Sequence, residues 1–140
     1  MSVGPVERDA ATAEFFDAAA AGVFLLRRCA GGHYSEPPAA RCTTCGDADL
    51  HWAPAAGGAS LVSWAVTWTA AEPGAEAGAT VLVIAELDEG PWWWSRLAGS
   101  DTVALSTGAL SVGARLVLSF ARADGEHEAV PVFRLAGQPA

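Results

Sequence analysis

The chain has 140 residues, of which 51% are hydrophobic and 17% charged, a composition that favours a packed globular core over long disordered segments. Sixteen acidic residues against eight arginines, with no lysine, give a net charge of −8, which repels a phosphate backbone and argues against nucleic-acid binding. The first ten residues are polar and no apolar run reaches the roughly 18 residues of a membrane span, so we expect a cytoplasmic protein without a signal peptide.

The predicted elements begin with a short helix over residues 11–20, in which Phe15, Phe16 and Ala19 recur at near-helical spacing. Residues 23–28 (VFLLRR) have the β-branched, aromatic and leucine content of a strand that leads directly into Cys29. Residues 30–49 are rich in Gly, Pro and polar side chains, so we expect no regular structure there. Such a segment needs another brace, and a bound metal ion would supply one.

Five further strands are predicted after this segment. The first, at 60–68, shows strict two-residue alternation of side chains, and a hairpin joins a strand at 81–87 to one that begins at Trp92. The last two strands lie at 114–121 and 130–135. Five short antiparallel strands fit a Greek-key barrel of the OB type, although a β-sandwich or an SH3-like barrel fits the periodicity nearly as well.

The three cysteines cluster within one short segment. Cys42, Thr43, Thr44 and Cys45 form a C-x-x-C motif followed by Gly46, a spacing that lets two thiolates point at one tetrahedral centre. Cys29 precedes them and is followed four residues later by His33. In a reducing compartment, clustered cysteines favour metal ligation over a disulfide. The predicted ligands of a structural zinc ion are Cys29, His33, Cys42 and Cys45.

Two other interpretations of the cysteines stay open. The segment can be a ribbon that has lost one ligand and is held by packing, with His33 in solvent. A redox role for Cys42 and Cys45 is disfavoured, because a redox C-x-x-C usually opens a helix within a βαβ unit. If four protein ligands bind the metal, no coordination position is left for water, so the site would be structural rather than catalytic.

Three consecutive tryptophans at positions 92–94 need an explanation, because alternate residues of a strand face opposite sides of the sheet. At least one indole must therefore leave a small core, and a surface tryptophan suits a protein–protein contact. Packing into the core is one alternative. Stacking on nucleic-acid bases is another, but Arg96 is the nearest basic residue among mostly acidic neighbours. The candidate partner-binding residues are Trp64, Trp68, Trp92, Trp93 and Trp94.

The sequence offers no catalytic constellation. The three histidines are His33, His51 and His127, and none has an obvious nucleophile beside it in the predicted elements. We therefore expect a chain without catalytic activity of its own.

Five segments carry a more specific signal when they are taken in order: EFFDAAAAGVFLLRRC, GHYSEPPAARCTTCG, GGASLVSWAVTW, VLVIAELDEGPWWWSRLAG and LSVGARLVLSFARADGEHEAVPVFRL. Together, over about residues 13–136, they resemble the acyl-CoA-associated family called "domain of unknown function 35". The resemblance implies a rubredoxin-like zinc ribbon followed by an OB-fold. We expect an N-terminal tail and helix at 1–22, a degenerate ribbon at 23–52 and the barrel at 53–138.

The resemblance also implies a function. Members of this family usually have C-x-x-C in both halves of the ribbon, and here Gly32 occupies the position of the fourth cysteine. The family suggests a non-catalytic accessory or scaffold subunit that docks on a thiolase-like enzyme, or on an acyl-CoA aldolase or hydratase, in lipid, steroid or polyketide-type metabolism. The alternatives are a free-standing module that binds acyl-CoA or another small ligand and, less favoured, a single-strand nucleic-acid binder.

Overall fold

The structure, a computed structural model, describes residues 6–68, 78–99 and 108–137. It is mainly β, and the predicted fold class of one short helix, a zinc-ribbon-like segment and a five-stranded barrel is confirmed. The described elements are α1 (Ala13–Ala20), β1 (Leu25–Cys29), β2 (Tyr34–Ser35), β3 (Leu50–Pro54), β4 (Gly58–Trp68), β5 (Ala79–Leu87), β6 (Trp92–Arg96), β7 (Arg115–Ala121) and β8 (Val130–Leu135).

Helix α1 ends in a left-handed turn at Gly22, whose φ is 82°. The N–H of Gly22 donates to the carbonyl of Ala19, and the N–H of Val23 donates to the carbonyl of Ala18, at 3.0 and 2.9 Å. These two bonds satisfy carbonyls at the end of the helix in the Schellman arrangement. The chain therefore reverses sharply and enters β1 beneath the helix.

The ribbon is a three-stranded antiparallel sheet in the order β2-β1-β3. Its centre is β1, in which Arg27 lies opposite Ser35 of β2 and Trp52 of β3. The two-residue strand β2 lies within residues 30–49, so the expectation that this segment lacks regular structure is wrong at that point. Cys29 ends β1 and therefore stands at the turn that leads into β2.

The barrel has the strand order β6-β5-β4-β7-β8. A parallel bridge between Leu97 and Phe133 closes it, and the N–H of Ala98 donates to the carbonyl of Phe133 at 2.7 Å. The fifth barrel strand thus returns beside the third, which is the Greek-key connection of an OB-fold and excludes the sandwich and the SH3-like barrel.

Strand β4 carries a bulge. Its register against β5 shifts between Leu61 and Ser63. The strict alternation expected from the sequence would place these two side chains on one face, but Leu61 is buried and Ser63 is exposed. Beyond the bulge, Trp64 and Val66 turn toward the core instead. One inserted residue reverses the faces of the rest of a strand, and it also bends the strand into the barrel.

One hydrophobic core joins the helix, the ribbon and the barrel. Phe15 of α1 contacts Phe24 edge-to-face, with ring centroids 5.5 Å apart, and Phe24 contacts Trp93 at 5.1 Å. Leu26 of β1 and Phe133 of β8 are completely buried in the same cluster. Helix α1 is far too short to cross a bilayer, and the described part of the chain holds no longer apolar helix that would do so.

Candidate functional site

The structure brings the four predicted metal ligands together. Ligand atoms of Cys29, His33, Cys42 and Cys45 all lie within 4.8 Å of one another, which is close enough to bind one metal ion. The Sγ atoms of Cys29 and Cys45 are 3.8 Å apart, and Sγ of Cys29 is 3.4 Å from Nδ1 of His33. His33 thus joins the cluster and is not a free loop residue.

These distances fit a tetrahedral centre. With metal–sulfur bonds of ~2.3 Å and a metal–nitrogen bond of ~2.0 Å, tetrahedral geometry separates two sulfurs by ~3.8 Å and a sulfur from a nitrogen by ~3.5 Å. The Cys29–Cys45 and Cys29–His33 separations match these two values within ~0.1 Å. The donor set and its spacing therefore suit a metal ion that prefers four thiolate and imidazole ligands.

The C-x-x-C turn prepares Cys42 for ligation. The backbone N–H groups of Thr44 and Cys45 each lie 3.4 Å from Sγ of Cys42, and Gly46 takes the left-handed conformation with φ of 77°. The N–H of Cys45, helped by that of Thr44, lowers the pKa of the Cys42 thiol to about 6 against the opposing effect of burial. Cys42 is therefore largely a thiolate at neutral pH, which is the form that binds a metal.

The turn after Cys29 differs from this one by a single residue. In the second turn the left-handed glycine follows the second cysteine, whereas in the first turn the left-handed residue is Gly32 itself, with φ of 87°. The N–H of Gly32 donates to the carbonyl of Cys29, and the N–H of Cys29 donates to the carbonyl of His33, both at 3.0 Å. The chain thus turns one residue early, and the side chain that reaches the cluster is that of residue 33.

The cluster is enclosed on most sides. Cys29 and Cys42 are 1% and 4% exposed, and Cys45 faces solvent. A Cβ atom added at Gly31 would lie 3.4 Å from the imidazole of His33, so the backbone passes close to that ring. If all four side chains bound one metal ion, no coordination position would be left for a substrate.

The five candidate tryptophans do not form one surface. Trp92 and Trp94 point outward from β6 and are 57% and 72% exposed. Trp93 points inward and packs against Phe24. The outward face continues onto β5, where Ile84 lies opposite Trp94 and is 39% exposed.

The two tryptophans of β4 lie on the other side of the sheet. Ser63 pairs with Ile84 and so shares the outward face, whereas Trp64 and Trp68 alternate with it. Trp64 is partly buried against the core, and Trp68 at the end of the strand is 68% exposed. We define the outer tryptophan face by Ile84, Trp92 and Trp94.

The structure also contains a groove that no pattern in the sequence indicates. It has a volume of about 560 Å³ and lies between α1, the ribbon and strands β6 and β8. Arg27 of β1 lines this groove. The sequence VFLLRR predicts the strand, but it does not indicate a role for the arginine side chain. The lining residues are Ala11, Thr12, Phe15, Phe16, Arg27, Pro37, Pro38, Trp52, Trp93, Trp94, Ser95, Val130 and Pro131.

Comparison with known proteins gives a likeness over the whole chain. No family model and no curated protein matches the sequence significantly. A solved structure described as "Ltp2-ChsH2(DUF35) aldolase" is 30% identical, covers 96% of this chain and 99% of its own, and superposes with a TM-score of 0.71. A second, described as a protein of unknown function from the DUF35 family of Sulfolobus solfataricus, is 12% identical with a TM-score of 0.58 over 90% of this chain and 85% of its own. The second likeness concerns the fold alone.

Proposed function

The chain belongs to the family called domain of unknown function 35, and from this premise we propose that it is a non-catalytic accessory subunit that docks on an acyl-CoA-using enzyme. Thiolase-like enzymes, aldolases and hydratases of lipid, steroid or polyketide-type metabolism are the partners we favour. In support, the description of the 30% identical relative names an aldolase made of two components, one of them marked DUF35.

The observation that carries the docking proposal is the outer tryptophan face. On the neighbouring strand β5, Glu86 lies opposite Trp92 and Ile84 lies opposite Trp94. The two large indoles and the aliphatic side chain of Ile84 therefore form one exposed patch. If a partner covers about 100 Å² of each indole, burial contributes about 5 kcal/mol at about 25 cal/mol/Å², before the entropic cost of association. Two such side chains suffice for a hot spot.

The partner must also account for the charge of the chain. A protein of net charge −8 associates most readily with a surface that is basic around an apolar centre. Glu86, which lies opposite Trp92, places an acidic group at the border of the patch. We therefore expect the partner to present an apolar pocket bordered by lysine or arginine.

We also propose that the metal is zinc and that it serves as a brace. Three thiolates and one imidazole whose ligand atoms lie within 4.8 Å of one another are a donor set that Zn²⁺ prefers. Within residues 30–49 the structure has only the two-residue strand β2, so a metal that ties Cys29 to Cys42 and Cys45 would hold most of this segment. The brace supports the ribbon sheet, whose Leu26 belongs to the common core.

The test of the docking proposal is to purify the tagged full chain from its own cell and to weigh the complex by native mass spectrometry. We expect a second protein that uses an acyl-CoA substrate. Replacing Trp92 and Trp94 together by alanine should weaken the complex at least a hundredfold without unfolding the chain, because both side chains are mostly exposed.

Trp68→Ala is the matched control, since it removes an equally exposed indole from the opposite face of the sheet. A chain that purifies alone as a monomer would contradict the accessory-subunit proposal. A complex that depends on Trp68 and not on Trp92 and Trp94 would retain the function but move the docking surface.

A further inference from the structure

The groove between α1, the ribbon and the barrel has the size and character of a small-molecule site. Its volume of about 560 Å³ falls within the roughly 300–1,000 Å³ that is common for ligand pockets, and it lies where separate parts of the fold meet. Phe15 and Phe16 come from α1, Trp52 from β3, and Trp93 from β6, so aromatic side chains from three elements form its walls.

Arg27 is the one basic side chain among the lining residues in the described part of the chain. Its guanidinium carbon lies 3.5 Å from the centre of the Trp52 ring, and its Nε donates to the carbonyl of Pro37 at 3.3 Å. Stacking and this hydrogen bond fix the plane of the guanidinium in advance. Among the described residues, the ion pairs involve Arg8, Arg115 and His127, and no carboxylate pairs with Arg27.

A fixed guanidinium at an apolar wall favours a ligand that carries one negative charge. A planar carboxylate can accept two parallel hydrogen bonds from the terminal nitrogens of arginine, and this pairing strengthens as water is excluded. A nucleotide-bearing ligand such as coenzyme A would bring several phosphate charges to one arginine in a chain of net charge −8. The charge of the groove thus disfavours the polyphosphate and fits a singly charged group.

We propose that this groove binds a small apolar monocarboxylate. The carboxylate pairs with Arg27, and the apolar body lies along Phe16, Trp93 and Pro131, away from the barrel interior. This site is separate from the metal cluster, and it stands whether or not the chain docks on another enzyme. Trp94 lines both the groove and the outer tryptophan face, so a variant at that position does not distinguish the two proposals.

The test titrates the full chain with octanoate and, as a neutral analogue of the same length, octanamide, while the indole N–H resonances are followed by NMR. We expect octanoate to shift the resonances of Trp52 and Trp93 and to bind at least tenfold more tightly than octanamide. Arg27→Met, which keeps an apolar side chain of similar length, should remove this tenfold preference. Arg27→Lys should retain part of it, because it keeps the charge but loses the planar fork.

Ala11→Phe is the second variant, and it protects the test against a folding defect at Arg27. Ala11 is exposed at the edge of the groove, so a phenyl group there should block octanoate and octanamide alike without disturbing the core. Circular dichroism and metal content should match those of the unmodified chain for each variant.

Three results would overturn the proposal. Equal binding of octanoate and octanamide by the unmodified chain would show that the groove lacks a carboxylate site. Displacement of octanoate by coenzyme A would show that the wrong ligand class has been assigned. Arg27→Met that leaves octanoate binding unchanged but weakens a complex with a partner enzyme would assign the arginine to docking, and the docking proposal would survive that result.

Discussion

His33→Ala tests whether the imidazole is a metal ligand. His33 is one of four side chains whose ligand atoms lie within 4.8 Å of one another, and its Nδ1 is 3.4 Å from Sγ of Cys29. Alanine removes that nitrogen and leaves three thiolates, so water from the exposed side of Cys45 would take the fourth position. We expect the variant to bind zinc more weakly but not to lose it completely.

The magnitude follows from the number of ligands. Structural zinc sites contribute apparent binding free energies of about 10–16 kcal/mol at neutral pH, so an equal share for each of four ligands is about 2.5–4 kcal/mol. At about 1.4 kcal/mol for each factor of ten, the zinc dissociation constant should rise by about a hundredfold to a thousandfold. The melting temperature in the presence of a weak chelator should fall for the same reason, because binding to the folded state alone stabilises it.

The assay is a competition titration of the zinc-loaded full chain with a chromogenic chelator. His51→Ala is the matched control, because His51 is an exposed histidine of β3 outside the cluster, and its removal should leave the affinity unchanged. His33→Cys should retain tight binding by replacing nitrogen with sulfur. If His33→Ala binds zinc as tightly as the unmodified chain, the histidine is not a ligand and the three cysteines alone form the site.

Three further predictions concern the turn, an ion pair and acid stability. Gly32→Cys alone should not tighten zinc binding in the same titration, because residue 32 has a left-handed φ of 87°, which disfavours cysteine. The double variant Gly32→Cys, His33→Gly should bind zinc as tightly as the unmodified chain, because it copies the Cys42–Gly46 turn. Gly58→Ala should lower the midpoint of urea unfolding only slightly, because its Cβ would displace the exposed Asp88–Arg115 pair, and this decrease should vanish in an Arg115→Ala background. Hydrogen bonding from Arg8 lowers the pKa of Glu128 below 4.5. The stability that this pair contributes is therefore present above pH 4.5 and is lost as the pH falls. Arg8→Ala should flatten that part of the acid dependence of the melting temperature. An unchanged acid profile in Arg8→Ala, or an undiminished decrease for Gly58→Ala without Arg115, would contradict the corresponding prediction.

Local patterns in the sequence predicted most of the fold. The hairpin of β5 and β6 follows from two apolar runs on either side of residues 88–91, and the C-x-x-C turn follows from the spacing of Cys42 and Cys45 with Gly46 behind them. The four candidate metal ligands could also be predicted from the sequence, because Cys29 and His33 lie in one short turn and Cys42 and Cys45 in another. Such features depend on neighbours in sequence, and the structure reproduces them.

The remaining features depend on contacts that are distant in sequence. The bulge at Leu61 and Ser63 reverses the inward face of β4, and a two-residue period cannot register it. The five tryptophans predicted as candidate partner-binding residues fall on both faces of the sheet, and the bulge decides the side only for Trp64 and Trp68. The groove needs α1, the ribbon and the barrel to meet, so Arg27 gains a role only when Trp52 and Pro37 lie beside it.

Gly32 and His33 act together in the turn after Cys29. A turn after Cys29 with the length of the Cys42–Gly46 turn would place its left-handed residue at position 33, and a histidine there would be strained. The left-handed conformation lies at Gly32 instead, and Nδ1 of His33 reaches the cysteines. The early turn at Gly32 therefore brings the imidazole of residue 33 to the cysteines. A search for paired C-x-x-C motifs would classify this ribbon as incomplete, whereas its fold brings potential ligand atoms of four side chains within 4.8 Å of one another.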